Sequence, residues 1–473
     1  MLPAIRNRSV VLIVTLAVLN ACASVTTIPA ASDAIAIVGV TVIDPSSSQP
    51  PAPDQTILVA DGVIRTVGPS SAIAIPAGAR RVDARGKFAI PGLWDAHVHF
   101  MNTGVTALPL LVAMGITSVR EMGGYIDSTR AWQARMKAGT LLGPRIVTPG
   151  PILESPRYLQ GVIERSARGD PQLALRVLPY RIRVGDSIEA RRAIDSLVKL
   201  RVDFVKVRTS ANPATFYAIL REARRAGLRV AAHQQSMPIR SALDSGLTDL
   251  QHAILPPLSS LSDATRDSIY QKFVDKGAWY TPTLTVSRAV MLSGDSAARA
   301  IFSPEAIRLD ERRAYASPWL LGWWRMQVDE RISDSASTPA ATLEAMYQSS
   351  ANDVHRMHEL GVNILAGTDA GSVLVYPGFA LHEELRRLVE DAKLSPRDAL
   401  WSATIGPARF ARLDDQLGAL SAGKIADIVL LDADPLTDIR NTRRIFAVVQ
   451  AGRLFSRADL DALLAQVRST AAH

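Results

Sequence analysis

Apolar positions along the chain fall into short blocks of two kinds. Near the amino-terminal end, residues 36–44, 56–60, 63–67 and 81–83 are rich in apolar and β-branched side chains, which predicts strands. Asp61-Gly62 and Gly68-Pro69 part them as turns. The far end has the same texture, with buried strands predicted at 428–431 and 446–450 and turns at Ala433-Asp434-Pro435 and Ala451-Gly452. Two β-rich ends around a different middle predict one composite sheet domain built from both termini. In that middle, helical segments at 188–200, 214–226, 239–245, 264–276 and 342–360 alternate with apolar strands at 203–207, 229–232, 249–251, 279–283 and 363–366. Two further strands are predicted at 115–120 and 145–148. Repeated helix–strand units predict an α/β protein with parallel strands. The count fits a (β/α)8 barrel better than a doubly wound sheet, and no glycine-rich phosphate loop follows any strand. Residues 286–340 break the rhythm. Trp319, Trp323 and Trp324 there predict an inserted helical hairpin, packed as core or reaching over a substrate pocket as a lid.

Composition narrows the class. At 473 residues, 48% hydrophobic and 21% charged, the chain is neither disordered, collagen-like nor a coiled coil. A net charge of +8 invites a nucleic-acid reading, but the arginines are scattered rather than striped and aromatics make up 5%, so no nucleic-acid partner is expected. Arginine is the default cation, with 45 Arg against eight Lys. The single cysteine, Cys22, excludes an intrachain disulfide and a zinc–thiolate site. Arg6 and Arg8, an apolar run over 10–19 and Leu19-Asn20-Ala21-Cys22 form a secretory signal over residues 1–22. That run falls well short of the about 20 residues that span a bilayer. A cysteine after a small residue resembles a bacterial lipobox, in which the thiol of Cys22 is lipidated. With Ala23 following, the expected location is the periplasmic face of the outer membrane, held by a lipid anchor only; a periplasmic or secreted protein is the alternative.

The strongest chemical signal is Pro91-Gly92-Leu93-Trp94-Asp95-Ala96-His97-Val98-His99. Residues two apart on a strand face one side, so His97 and His99 can present both imidazoles to one ion. His233 and His252 each end a predicted strand, and Asp369 follows another in Gly367-Thr368-Asp369-Ala370. All lie where strands give way to loops, the face on which barrel active sites assemble. Lys206 sits near the end of an apolar strand, where an unpartnered charge is costly. In so arginine-rich a chain, a cation wanted only for charge would be Arg, whereas a lysine amine can lose its proton and react. Carboxylated by carbon dioxide, it becomes an anionic two-oxygen ligand able to bridge two metals; paired with a buried acid, it is structural.

This pattern resembles the amidohydrolase superfamily, specifically its imidazolonepropionase-like and Xaa-Pro dipeptidase (prolidase)-like branch, over residues 35–455. The hairpin at 59–67, the Pro-Gly-Leu-x-Asp-x-His-x-His run and Gly115-Ile116-Thr117-Ser118-Val119-Arg120 resemble the family's opening, and Gly418-Ala419-Leu420-Ser421-Ala422-Gly423-Lys424-Ile425-Ala426-Asp427-Ile428-Val429 its close. The resemblance implies a metal-bearing (β/α)8 barrel at 91–413 with a small β-sandwich from 34–90 and 414–455. Matched residue by residue, it implies His97, His99 and Asp369 as ligands of a first metal, His233 and His252 of a second, and Lys206 as the carboxylated bridge. His382 matches a frequent family position outside that set, and His355 and His358 read as a solvated helix face. The chain departs from the family at Thr148-Pro149-Gly150-Pro151-Ile152, at Val207-Arg208-Thr209-Ser210 and at Gln234-Gln235, which bears on substrate rather than reaction class.

The implied activity is hydrolysis of an amide bond in a small molecule, first a dipeptide of Xaa-Pro type, by two divalent ions, most simply zinc. Asp369 is the expected acid/base, taking the proton of the attacking water and passing it to the leaving amine. The alternatives are a cyclic amide of the imidazolonepropionase kind and a non-catalytic surface-binding lipoprotein.

Overall fold

A computed structural model of the chain describes residues 34–471 apart from 169–170, 253–260, 294–295, 304–307, 309 and 334–337. The leader and Cys22 lie outside the described residues. The chain opens with β1 (Ile35–Val42), β2 (Ala52–Ala60), β3 (Val63–Pro69), β4 (Arg80–Asp83) and β5 (Phe88–Pro91). The turn between β2 and β3 places Asp61 and Gly62 at φ 53° and 76°, the left-handed pair that a tight hairpin needs. β2 begins four residues before its predicted start, because its polar first residues still pair with β1 through Val42 and Ala52.

Ten strands follow: β6 (Leu93–Val98), β7 (Ile116–Glu121), β8 (Arg145–Val147), β9 (Ile152–Glu154), β10 (Arg181–Arg183), β11 (Val205–Val207), β12 (Val230–His233), β13 (Asp249–Gln251), β14 (Trp279–Thr281) and β15 (Asn363–Ile364). Every pairing among them is parallel, in the orders β6-β7-β8 and β10-β9-β11-β12-β13-β14-β15. Most are buried on both faces, which is why they read as apolar runs without alternation. β9 and β10 escape that reading, being three residues each and carrying Glu154, Arg181 and Arg183. Helices separate the strands, and their ends are written in the sequence. Asp186 caps Ser187–Lys199 by accepting from Ile188 and Glu189 N–H, Asn212 caps Pro213–Arg225, and Ser262 caps Asp263–Lys276. The first of these buries Ala190, Ala193, Ile194 and Leu197 as one stripe against the strands. Alternating parallel strands and helices make this an α/β fold of TIM-barrel-like character. Beyond the regular pairings, Asp203 N–H donates to Thr148 O (3.0 Å), Ala96 N–H to Ala366 O (2.9 Å) and His99 N–H to Ala370 O (2.9 Å). The last two bonds bring the end of β6 against the turn after β15.

At the far end β16 (Ile428–Leu431), β17 (Ile445–Gln450) and β18 (Arg453–Phe455) join the first strands in an eight-stranded sheet, ordered β18-β17-β16-β5-β1-β2-β3 with β4 on β1. Ile37, Val40, Ile57, Ile64, Leu430 and Val449 pack together on it. A helix at Arg457–Ala471, which the sequence reading left out, follows and buries Leu460 and Val467.

The interruption at 286–340 contains helices Leu284–Ser293 and Pro318–Ser333 with 3-10 segments at Ser296–Phe302 and Glu311–Tyr315. Its tryptophans divide. Trp324 is fully buried, 4.9 Å from the Tyr376 ring edge to face, while Trp319 is half exposed beneath the Arg176 guanidinium. The Trp324 indole N–H points at Gly371 O (3.4 Å), so this segment packs on the turn that carries Asp369.

Candidate metal centre

His97 lies on β6 and His99 just beyond it, with Nε2 atoms 3.5 and 3.1 Å from Asp369 Oδ1. One donor atom from each of the three can be chosen so that all lie within 4.8 Å of one another, a set able to hold a metal ion. The turn bearing Asp369 is bound to β6 by the buried carboxylate of Asp95, which accepts from Thr368 N–H (3.0 Å), Thr368 Oγ1–H (2.6 Å) and His97 N–H (3.2 Å). Gly367 permits this approach: a Cβ there would stand 2.8 Å from His97 Cβ and 2.7 Å from the Thr281 methyl carbon. Asp369 itself sits at φ 61°, a left-handed conformation aspartate tolerates but rarely adopts.

The remaining candidates adjoin this trio. The His97 ring is 4.7 Å from that of His252, and His252 is 4.5 Å from that of His233, their Nε2 atoms facing at 3.1 Å. His252 also takes a left-handed φ, 73°, and its Nδ1 pairs with Thr283 Oγ1 at 2.9 Å. His97 Nδ1 meets Gln251 Oε1 at 2.7 Å, which turns its Nε2 toward Asp369. Lys206, on β11, is 1% exposed, and its Nζ has no hydrogen-bond partner among the described residues.

Burial dominates the electrostatics. It pushes His97 and His233 well below the usual imidazole range and His252 down to about 4, so all three are neutral and available as donors at pH 7. Burial, with the charges of Arg120 and Arg208, outweighs Asp369 and brings the Lys206 ammonium down to about 7. For Asp369 burial pushes upward, yet His99, with His252 and Lys206, holds the carboxyl below the ordinary range. His97 Nε2, Asp369 Oδ1 and Lys206 Nζ are buried polar atoms without hydrogen bonds, an arrangement that costs free energy unless something charged completes it. Divalent ions fit this donor set of imidazoles and a carboxylate.

Several supporting residues were not assigned roles from sequence. Arg120 on β7 is buried and donates to Ala96 O (2.6 Å), Asp249 Oδ2 (2.6 Å) and Thr281 Oγ1 (3.0 Å), tying four strands beneath the histidines. Asp95 was visible inside the histidine motif, but nothing in spacing revealed its bond to Thr368. Among the other histidines, His355 and His358 sit on a surface helix near Glu359 (3.6 Å) and Asp398 (3.3 Å). His382 is buried and spans Thr442 Oγ1 (3.0 Å) and Met114 O (3.1 Å), a structural tie.

Parallel strands that deliver histidines and an aspartate to one end define a metal-dependent hydrolase, and the Amidohydrolase family matches residues 88–454; the chain belongs to it. It is therefore a hydrolase, and the non-catalytic alternative falls away. Among characterised relatives, ochratoxinase of Aspergillus niger is 24% identical over 417 residues, covering 77% of this chain and 75% of that one. Imidazolonepropionase of Symbiobacterium thermophilum is 23% identical over 403 residues, covering 80% and 84%. A solved Xaa-Pro dipeptidase with bound methionine in its active site aligns with a TM-score of 0.65 over 90% of this chain and 100% of that one, at 19% identity, a likeness of fold.

Proposed function

We propose that this hydrolase cleaves an amide bond in a small molecule, a dipeptide of Xaa-Pro type by first choice, at two divalent ions. In this reading His97, His99 and Asp369 hold one ion, His233 and His252 the other, and Lys206 bridges them once carboxylated. The observation that carries it is the convergence of six polar side chains from the ends of β6, β11, β12 and β13 and the turn after β15, three with orphaned buried atoms. Zinc suits nitrogen and oxygen ligands. Bound there, the ions supply polarisation of the scissile carbonyl and lower the pKa of water toward neutrality. Lys206 near pH 7 has a neutral fraction, whose nitrogen can bond to carbon dioxide with loss of a proton. Asp369, kept ionised, takes the proton of the attacking water and returns it to the departing amine. The strands are read as one closed eight-stranded barrel, supported by the Asp203–Thr148 and Ala96–Ala366 bonds at the two gaps between the sheets. The eight-stranded terminal sheet is read as a composite β-sandwich domain.

The second substrate reading is a cyclic amide, favoured by the imidazolonepropionase relative. Export as a lipoprotein on Cys22 favours scavenged peptides over a cytosolic intermediate. Metal analysis of the purified protein, with turnover of a dipeptide and cyclic-amide panel on the same preparation, tests the reading. Two metals per chain and dipeptide turnover are expected. Turnover of cyclic amides alone reverses the order, and absence of stoichiometric metal overturns the two-ion site.

A further inference from the structure

Beside the histidines lies an acid that the proposed hydrolysis does not use. Glu121 ends β7 and is 1% exposed. Its Oε2 accepts from the Thr148 hydroxyl at 2.9 Å, whereas its Oε1, also buried, accepts no hydrogen bond, and no ion pair to Glu121 forms among the described residues. The carboxylate borders a cavity of about 180 Å³, bounded by Phe100 and Met101 on one side and the helix Ile126–Lys137 on the other. Phe100 directly follows His99, so the cavity adjoins the candidate metal ligands.

Gly124 keeps the space in front of the acid clear. A Cβ there would stand 3.1 Å from Glu121 Oε1 and 3.3 Å from Met101 Cγ. Aromatic rings wall the cavity: Phe100 and Trp132 meet edge to face at 5.9 Å, with Tyr125 alongside. Among the described residues lining it, none is Arg, Lys or His. A buried carboxylate with a free oxygen facing aromatic walls is complementary to a cation carried on an apolar stem. The volume suits that too, being several times the ~30 Å³ share of one water and below the ~300 Å³ of a drug-sized pocket.

We propose that this cavity binds the protonated primary amine of the substrate, the α-ammonium of the amino-terminal residue if the substrate is a dipeptide. Glu121 supplies the counter-charge and Phe100, Tyr125 and Trp132 the walls. The assignment of the amine to a substrate rests on the amide-hydrolysis reading; the cavity's preference for a cation does not.

The test uses the metal-loaded full protein with butylammonium, and 1-butanol as its uncharged counterpart, followed by saturation-transfer NMR titration. Wild type should bind butylammonium about tenfold or more tightly than butanol, the size of one charge-assisted hydrogen bond. Glu121→Gln should erase that preference. Gly124→Ala should weaken both ligands by filling the space, and it covers the case in which Glu121→Gln does not fold. With dipeptides, Glu121→Gln should lower kcat/KM for free-amine substrates by a similar factor through KM, narrowing their advantage over N-acetyl analogues. Equal binding of amine and alcohol by wild type overturns the proposal. So does an amine preference that survives Glu121→Gln, which would make the acid only a positioning group for Thr148. A protein that prefers butylammonium but hydrolyses no amide keeps the cavity and loses the hydrolase reading, and intact hydrolysis without that preference does the reverse.

Discussion

Asp369 is asked to be both a metal donor and a proton carrier, and these roles separate on substitution. Asn at 369 keeps the size and one oxygen but cannot take a proton at neutral pH. The other donors around it, His97 and His99, stay where Gln251 and the β6 backbone hold them. Asp369→Asn is therefore expected to retain much of its metal and lose about 10²–10⁴-fold in kcat, the usual worth of general acid–base catalysis. Metal content and kcat on one preparation decide it; near-normal turnover would leave Asp369 a ligand alone. Lys206→Arg should lose two-metal occupancy, since guanidinium cannot be carboxylated, and Lys206→Ala should recover part of its activity with a short-chain carboxylic acid. Wild-type turnover with two metals in Lys206→Arg would remove the bridge. These residues were legible because their types are scarce: eight His and eight Lys in 473 residues. The arginine abundance that made Lys206 conspicuous also concealed Arg120, one of 45, whose burial against Asp249 only the folded chain reveals.

His382 joins a helix, Phe379–Glu390, to the Ile439–Arg443 turn and to the loop before β7. Burial depresses its pKa from 6.5 to about 4. The unfolded chain thus takes up a proton below pH 6.5 that the folded chain refuses, so this stabilising contribution is present above pH 6.5 and drains away as pH falls toward 4. His382→Gln should be less stable than wild type at pH 7, yet lose of order 2 kcal/mol less between pH 7 and pH 4.5. Urea midpoints of both proteins at the two pH values measure this; parallel slopes would contradict it. At this scale the sequence was a good guide wherever a segment was buried on one stripe or wholly apolar. Asp249–Gln251, Ile239–Ser245 and Ile428–Leu431 coincide with their predicted bounds. β9 and β10 did not announce themselves, because their charged side chains are stabilised by partners distant in sequence, such as Arg181 beside Glu154 at 3.4 Å.

For the molecule as a whole, the leader reading has a direct test. Cys22→Ser should shift the protein from the membrane fraction to the soluble periplasmic fraction or leave it as uncleaved precursor, with catalysis by the purified mature protein unchanged. Continued membrane attachment after leader removal would place the anchor elsewhere. The terminal sheet bears on the same journey. β5 is bonded to β1 on one side and to β16 on the other, and the Lys87–Asp432 ion pair across that seam joins residues 345 apart. At roughly 10 residues per second, ribosomal synthesis leaves the first five strands waiting on the order of half a minute for their neighbours. Contacts this distant also form slowly. In an exported chain the delay is an advantage: the leading segment cannot complete its sheet on the wrong side of the membrane, because the strands that finish it are the last to cross.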